Sequence, residues 1–360
     1  MRKILTILPS LSMGGAEHMA YELIKNLDFL RYVSKVICYG PKRDTDLEKK
    51  IEAICDVVYM NITGSINPLH ILKVMREISK FNPDVVHAHM GGVTFAIPWC
   101  NLHKKQLVLT IHTRPEKAFS YKNQKQIKSY IKSGRLTIVA VSEENYALVK
   151  EFYKIEDERV QFINNGIDIN RFYRKSHDGF AFVNVARQDD NKNQAAIIRC
   201  FKRLYDQNPT IKLYLIGDGP CHNDLINMAA ESNISKSVII PGLCSNPEYY
   251  YALSDVYVQS SHREAMPLSV LEALATGLPI ISTDVGGLKD VIKDNGFLVP
   301  DNDEELLFKK MEESTLLEID RYEFMSRKSK EIVKRYSSVV MANEYSALYE
   351  RNKKHEITKE

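Results

Sequence analysis

Two glutamates eight residues apart, Glu264 and Glu272, bracket a proline and the start of an apolar run in this 360-residue chain. Pro267 suits the first turn of a helix and Gly277 with Pro279 suits its end, which predicts a helix over 267–276. Eight residues return to nearly the same helical face if the preceding loop continues the helix direction, so both carboxylates can address one site. Carboxylates accept hydrogen bonds from vicinal hydroxyls. In the segment Met266-Pro267-Leu268-Ser269 the free N–H groups of Leu268 and Ser269 can hold a phosphate. A phosphate with a hydroxylated ring at each end fits that spacing, and a nucleotide-sugar is such a molecule. Taken alone, the glutamates read better as a helix-dipole partner and a solvated or salt-bridged side chain; the neighbouring motifs decide otherwise.

The segment Asn184 to Asn193 adds cations. Arg187 and Lys192, five residues apart after a predicted strand, can clamp a diphosphate, the first through its planar fork and the second as a compact charge. Asp189 and Asp190 temper that field, and an ordinary surface pairing with them is the plain alternative. Near the N-terminus, Gly14 and Gly15 follow a strand that ends at Leu8, and glycines there allow close backbone approach at a helix start. His112 closes another strand, Leu107 to Ile111, where it could hydrogen-bond a sugar or phosphate. His87 and His89 alternate at a strand end and suggest a metal, but no third ligand stands at a convincing spacing. No Asp-x-Asp cluster sits in a metal-binding context, and the fixed cations can neutralise a leaving diphosphate themselves, so neither a metal nor any other cofactor is expected.

Short apolar runs alternate with helical patterns along the whole chain, the signature of parallel α/β units. Strands are predicted at 3–8, 33–39, 56–60, 84–89, 107–112, 137–141 and 160–163. A second set follows at 180–186, 211–216, 238–240, 256–259, 279–282 and 297–299. In the first set, Leu69, Leu72, Met75 and Ile78 keep near-helical spacing between Ile66 and Phe81. The polar stretch around Asn164-Asn165-Gly166-Ile167-Asp168 reads as a linker. The expectation is a domain over 1–170, a second over 171–335, and a final helical segment over 336–360. Loops after strands are where ligands of open parallel sheets bind.

Composition sets limits. With 44% hydrophobic and 26% charged residues the chain builds globular cores. Cys38, Cys55, Cys100, Cys200, Cys221 and Cys244 lack paired metal-ligand spacing and read as reduced packing residues of a cytosolic protein. The opening apolar run is broken by Pro9 too soon for a signal peptide, and no run is long enough to span a bilayer. A net charge of +3 points to no nucleic-acid partner. It divides, however, into +6 for residues 1–170 and −3 for the rest. Much of the excess lies at 104–135, where Lys104, Lys105, Arg114, Lys117, Lys122, Lys125, Lys128, Lys132 and Arg135 face only Glu116. Such a face could lie on anionic lipid or simply be solvated.

The run from Glu264 through Glu272 to Leu271-Glu272-Ala273-Leu274-Ala275-Thr276-Gly277-Leu278-Pro279 closely resembles glycosyltransferase family 4. The likeness extends to Ile281 through Gly287, to Asn295 through Pro300, to Tyr214 through Pro220 and to Val141-Ser142. It implies an α/β protein of two Rossmann-like, doubly wound domains facing a central cleft (GT-B). It also implies retention at the anomeric carbon and a terminal segment returning to the first domain. By the same resemblance Glu264 contacts the hydroxyls of the donor sugar and Glu272 the ribose. Arg187 and Lys192 match the family's cation pair, His112 its active-site histidine, and Gly14 and Gly15 its loop beside donor phosphates and acceptor. One departure concerns Ala265-Met266-Pro267, where many members have Gly-Phe-Gly; Pro267 has no N–H to donate.

A UDP-sugar donor and a saccharide or lipid-linked saccharide acceptor in surface-polysaccharide assembly follow as expectations, on the cytoplasmic side and peripheral to the membrane. Two other readings share the features: a nucleotide-sugar 2-epimerase of the same architecture and a non-catalytic sugar-nucleotide-binding protein. A nicotinamide dehydrogenase would need a Gly-x-Gly-x-x-Gly turn and an acidic residue ending the second strand, and the sequence has neither.

Overall fold

The computed structural model describes residues 1–12 and 14–357, with side chains through Arg351. The chain divides into two compact units, one of residues 1–166 with the helix Ser338–Ile357, the other Ile167–Ser337.

Seven strands form the first unit's sheet: β1 (Arg2–Leu8), β2 (Tyr32–Cys38), β3 (Asp56–Tyr59), β4 (Val85–His89), β5 (Gln106–Ile111), β6 (Leu136–Ala140) and β7 (Val160–Phe162). All are parallel, in the order β3-β2-β1-β4-β5-β6-β7. Strands such as β4 and β6 are buried along their full length, because helices cover both faces and leave no polar side to alternate with. On one face, Pro68–Phe81, Val93–His103, Tyr121–Ile131 and Glu143–Tyr153 enclose a core that includes Phe95, Trp99 and Ile127. On the other lie Gly15–Asn26 and Asp46–Glu52. Ser338–Ile357 joins them there, its Met341, Tyr345 and Tyr349 packed among Ile4, Val85, Val108 and Val139.

The second unit carries β8 (Ala181–Val185), β9 (Lys212–Ile216), β10 (Val238–Gly242), β11 (Val256–Gln259), β12 (Ile280–Thr283) and β13 (Gly296–Val299). They too are parallel, in the order β10-β9-β8-β11-β12-β13. In both sheets the order reverses beside the first strand, between β1 and β4 and between β8 and β11. That is the switch point where loops diverge and open a crevice at the strands' carboxyl ends.

Every predicted strand forms, with ends displaced by at most two residues. The unit boundaries differ from those expected. The chain passes from one unit to the other at 166/167 and 337/338 because Ile167, inside the polar stretch read as a linker, and Phe172 just after it are buried in the second unit's core. There the N–H of Ile167 also donates to the Tyr336 carbonyl at 3.0 Å. In Pro68–Phe81, Leu69 and Leu72 are exposed while Val74 and Ile78 are buried. Steps of three fall 60° short of a full turn, so Leu69 and Ile78 point to opposite sides. All six cysteines are free thiols. No helix among the described residues is long and apolar enough to cross a membrane.

Candidate active site

In the second unit the loops after β8, β9, β11 and β12 lock onto one another at the switch point. The Asn191 side chain donates to the Arg263 carbonyl at 3.0 Å, and the His262 N–H donates back to the Asn191 carbonyl at 2.8 Å. Ser260 donates to the Asn193 carbonyl at 2.7 Å, and the Gly287 N–H to the Ala265 carbonyl at 2.9 Å. Two glycines make such closeness feasible. A Cβ on Gly217 (φ +132°) would lie 2.0 Å from the Ala186 carbonyl oxygen, and one on Gly286 (φ +59°) 2.1 Å from that of Glu264. Both have backbone angles that side-chain-bearing residues rarely adopt.

These loops bring Lys192 to Glu264, Nζ to Oε1 at 2.5 Å, with the side chains 20% and 8% exposed. The pair is shielded enough to be a fixed feature, and a ligand that binds either member must compete for it. Arg187 is its opposite: 69% exposed, only 3.6 Å from Asp189 Oδ2, so its fork is open to solvent and ligand alike. Pro267 is the N-cap of the helix Leu268–Thr276, in extended geometry, and Gly277 ends it in the left-handed region. That start has no side-chain cap and no acidic residue in its first turn, which leaves the Leu268 and Ser269 N–H groups for an anion. The Met266 side chain is committed to the core, so only its backbone can serve a ligand. The hydroxyl of Ser269 is 2.9 Å from that of Tyr257.

Glu272, on the same helix, is held by Tyr251, whose hydroxyl lies 2.9 Å from Oε2 and 3.0 Å from the Ser269 carbonyl. Burial pushes the Glu272 carboxyl up to about 7, against the opposing pull of the Tyr251 hydrogen bond and the Arg171 charge. Beneath these loops several buried polar atoms have no partner among the described residues: Ser261 Oγ, Gln259 Nε2, Asn184 Oδ1 and Gln194 Oε1.

The first unit's residues sit at its own switch point. Gly14 caps Gly15–Asn26, and a Cβ there would be 2.4 Å from Glu17 Oε2. The Glu17 carboxylate folds back into that space and accepts from Ser10 at 3.3 Å and Ser12 at 3.2 Å. The chain thus supplies its own negative group to that helix start. Below β4 and β5 three histidines form a tier. His87 is fully buried, Nδ1 2.8 Å from the Tyr349 hydroxyl and Nε2 2.8 Å from Thr110 Oγ1. Both of its nitrogens are occupied, so it has no lone pair to offer a metal, and no cluster of metal-binding groups occurs among the described residues. His89 Nδ1 lies 3.0 Å from His112 Nε2, their rings stacked. Burial, as the largest influence, lowers all three: His87 to about 3, His112 to about 4, and His89 far below its ordinary value.

The family profile described as glycosyl transferases group 1 matches residues 165–331, and that of glycosyltransferase family 4 matches 13–171. The chain belongs to glycosyltransferase family 4. An Escherichia coli UDP-Gal:alpha-D-GlcNAc-diphosphoundecaprenol alpha-1,3-galactosyltransferase is 25% identical over 82% of this chain and 83% of its own. A Methanocaldococcus jannaschii glycosyltransferase is 27% identical over 59% of this chain, and the match spans 58% of that protein. Among solved structures, Anabaena HepE in complex with UDP and glucose superposes with a TM-score of 0.81 at 18% identity, covering 98% of this chain and all of that one. The fold is accordingly GT-B, two Rossmann-like units in tandem.

For a family 4 glycosyltransferase, the sequence named the residues at the loop ends but missed their supports. Tyr251 orients Glu272 from within a run of tyrosines that carries no spacing signal. Gly217 and Gly286 lie in the segments Tyr214–Pro220 and Ile281–Gly287, yet their close approaches are to loops distant in sequence. The alternation of His87 and His89 in sequence points only to a metal, whereas the contact of His89 with His112 crosses from β4 to the residue after β5.

Proposed function

We propose that this glycosyltransferase moves a sugar with retention from a UDP-sugar to a lipid-linked saccharide, without a metal. The observation that carries the reading is the charge arrangement after β8 and β11. An exposed Arg187 and a Lys192 held by Glu264 flank the uncapped start of Leu268–Thr276. An entering diphosphate would take Arg187, the free N–H groups and Lys192, exchanging the Glu264 carboxylate for a phosphoryl group. Glu264, released from its cation, would then accept from sugar hydroxyls, and Glu272 from the ribose. His112 would supply one hydrogen bond to the sugar or to the departing phosphate. In the transfer the anomeric carbon–phosphate oxygen bond breaks, the bond to the acceptor oxygen forms, and the acceptor proton passes to the departing phosphate oxygen. The cations stabilise the charge that accumulates there, the task otherwise given to Mg²⁺.

The choice of UDP and of a lipid-linked acceptor is supported by the E. coli relative, named for both, and UDP also by the HepE complex. A cytoplasmic, membrane-peripheral location agrees with the basic segment. Lys104, Arg114, Lys117, Lys122, Lys125, Lys128 and Lys132 are all exposed, alongside Leu102 and Tyr121 at 70% and 71% exposure. Each such cation near anionic lipid contributes about 1 kcal/mol. Salt-sensitive binding to phosphatidylglycerol vesicles, absent with phosphatidylcholine, is the expected behaviour.

The deciding experiment screens nucleotide-sugars in EDTA by thermal shift and by transfer, with Arg187→Ala assayed for transfer and donor binding separately. UDP-sugars should raise the melting temperature and support transfer without added metal. A strict Mg²⁺ requirement would overturn the charge argument. Conversion of donor to its 2-epimer with no acceptor present would favour the epimerase reading.

A further inference from the structure

His89 is completely buried, and its two ring nitrogens are in different situations. Nδ1 faces His112 Nε2 at 3.0 Å, whereas Nε2 has no hydrogen-bonding partner among the described residues. The ring lies between those of His87 and His112, with centroids 4.2 and 5.3 Å away. His87 has nothing to offer it, since Tyr349 and Thr110 occupy both of its nitrogens and Tyr345 in turn holds Thr110 at 2.9 Å.

A neutral imidazole carries one N–H and one lone pair. With the proton on His89 Nε2, a buried N–H would face no acceptor, a situation that folded proteins rarely tolerate; a bare lone pair costs less. The proton therefore sits on Nδ1, which donates to His112. His112 Nε2 accepts, so the single proton of a neutral His112 ring lies on its Nδ1.

We propose that His89 is a positioning residue that fixes His112 as the Nδ1–H tautomer, so that the nitrogen left for a ligand is a hydrogen-bond donor and not a base. What that donor meets, a sugar oxygen or a departing phosphate oxygen, rests on the proposed transfer reaction; the tautomer itself does not. A donor at this point cannot remove the acceptor's proton, which agrees with delivery of that proton to the leaving phosphate.

Two-bond proton–nitrogen spectra of the full chain, labelled with nitrogen-15 in histidine and assigned with His112→Asn, read the tautomer directly. His112 should show a pyrrole-type Nδ1 and a pyridine-type Nε2 throughout the neutral pH range. The reverse pattern in the wild type overturns the proposal, and this measurement needs no variant of His89. In His89→Leu the donor is gone and His112 should turn to its Nε2–H form. An unchanged pattern there also overturns the proposal. His89→Asn, whose amide places an N–H where Nδ1 stood, should keep the wild-type pattern.

In transfer assays His89→Leu should lower kcat about tenfold, with little change in donor KM, and His89→Asn should restore it. If the spectra behave as expected while kcat does not move, the positioning stands and the part given to His112 in transfer is what fails.

Discussion

Lys192, Glu264 and Arg187 in the second unit's site are held by partners of opposite charge or left open to water; in the first unit the three histidines are stripped of charge by burial. Lys192 and Glu264 neutralise one another at the mouth of a loop system, and Arg187 reaches into solvent. His87 and His89 are fully buried, and the helix Ser338–Ile357 meets His87 with Tyr345 and Tyr349, which offer hydroxyls and no charge. The same parallel topology thus supports two chemistries. Loops that end at the surface can carry full charges for a diphosphate, whereas side chains that point from mid-sheet into a helix must be neutral and act as dipoles.

The largest expected effect tests the charged half. Arg187→Ala and Lys192→Ala should each lower kcat by roughly 10²–10³, the usual cost of losing one group that stabilises transition-state charge. Lys192→Ala also strands the carboxylate of Glu264, which should cost about 1–3 kcal/mol in urea denaturation. Pairing Lys192→Met with Glu264→Gln should return most of that stability and none of the activity. Recovery of activity in the double variant would mean the pair is structural.

Next come the glycines that close those loops. Gly217→Ala and Gly286→Ala force a Cβ onto a carbonyl oxygen and should each cost about 2–4 kcal/mol of stability. Only Gly286→Ala presses directly on the Glu264 backbone, so it should weaken nucleotide binding more than its partner at equal loss of melting temperature.

Glu272 blurs the contrast between the halves, being a carboxyl buried enough to lose its charge near neutrality. Nucleotide-sugar affinity should rise by up to roughly tenfold per pH unit on approach to pH 7 and level off above it, as the carboxylate forms. Tyr251→Phe removes a hydrogen bond that favours the carboxylate, so the midpoint should move upward. Stability runs the other way. Between the ordinary 4.5 and about 7 the native state keeps a proton that the unfolded chain has released, so this group's contribution falls as pH rises through that window. Glu272→Gln should flatten that slope in a series of urea titrations.

The smallest effect belongs to the neutral half. Tyr349→Phe leaves His87 Nδ1 without its partner and should cost about 1 kcal/mol, with no change in nucleotide binding to the second unit. A large loss of donor affinity there would dissolve the distinction between the two regions.

Much of this was open to a reader of the residues alone. Thirteen strands stood out because parallel strands buried on both faces are continuous apolar runs, and the helix after Pro267 was framed by proline and glycine. Glu264, Arg187, Lys192 and His112 could be named because they follow strands, where sequence position and location in the sheet coincide, and Glu272 because its eight-residue spacing from Glu264 returns to the same side of the helix. Leu69 and Leu72 helped to mark the helix Pro68–Phe81 but not its buried side, since an apolar residue at near-helical spacing does not reveal which face the sheet will cover.

Local chemistry, then, determined the class of fold, its two units and the residue types available at the strand ends: apolar periodicity, turn residues and caps act over a few positions and are written in order. The partnerships between those residues were decided only by tertiary structure. Lys192 meets Glu264 across 72 residues, His89 meets His112 across 23, and Tyr349 reaches His87 across 262. Whether a carboxyl is charged, or which nitrogen of a ring carries its proton, depends on burial and on such distant neighbours. Those are properties of the packed chain, which no short stretch of it contains.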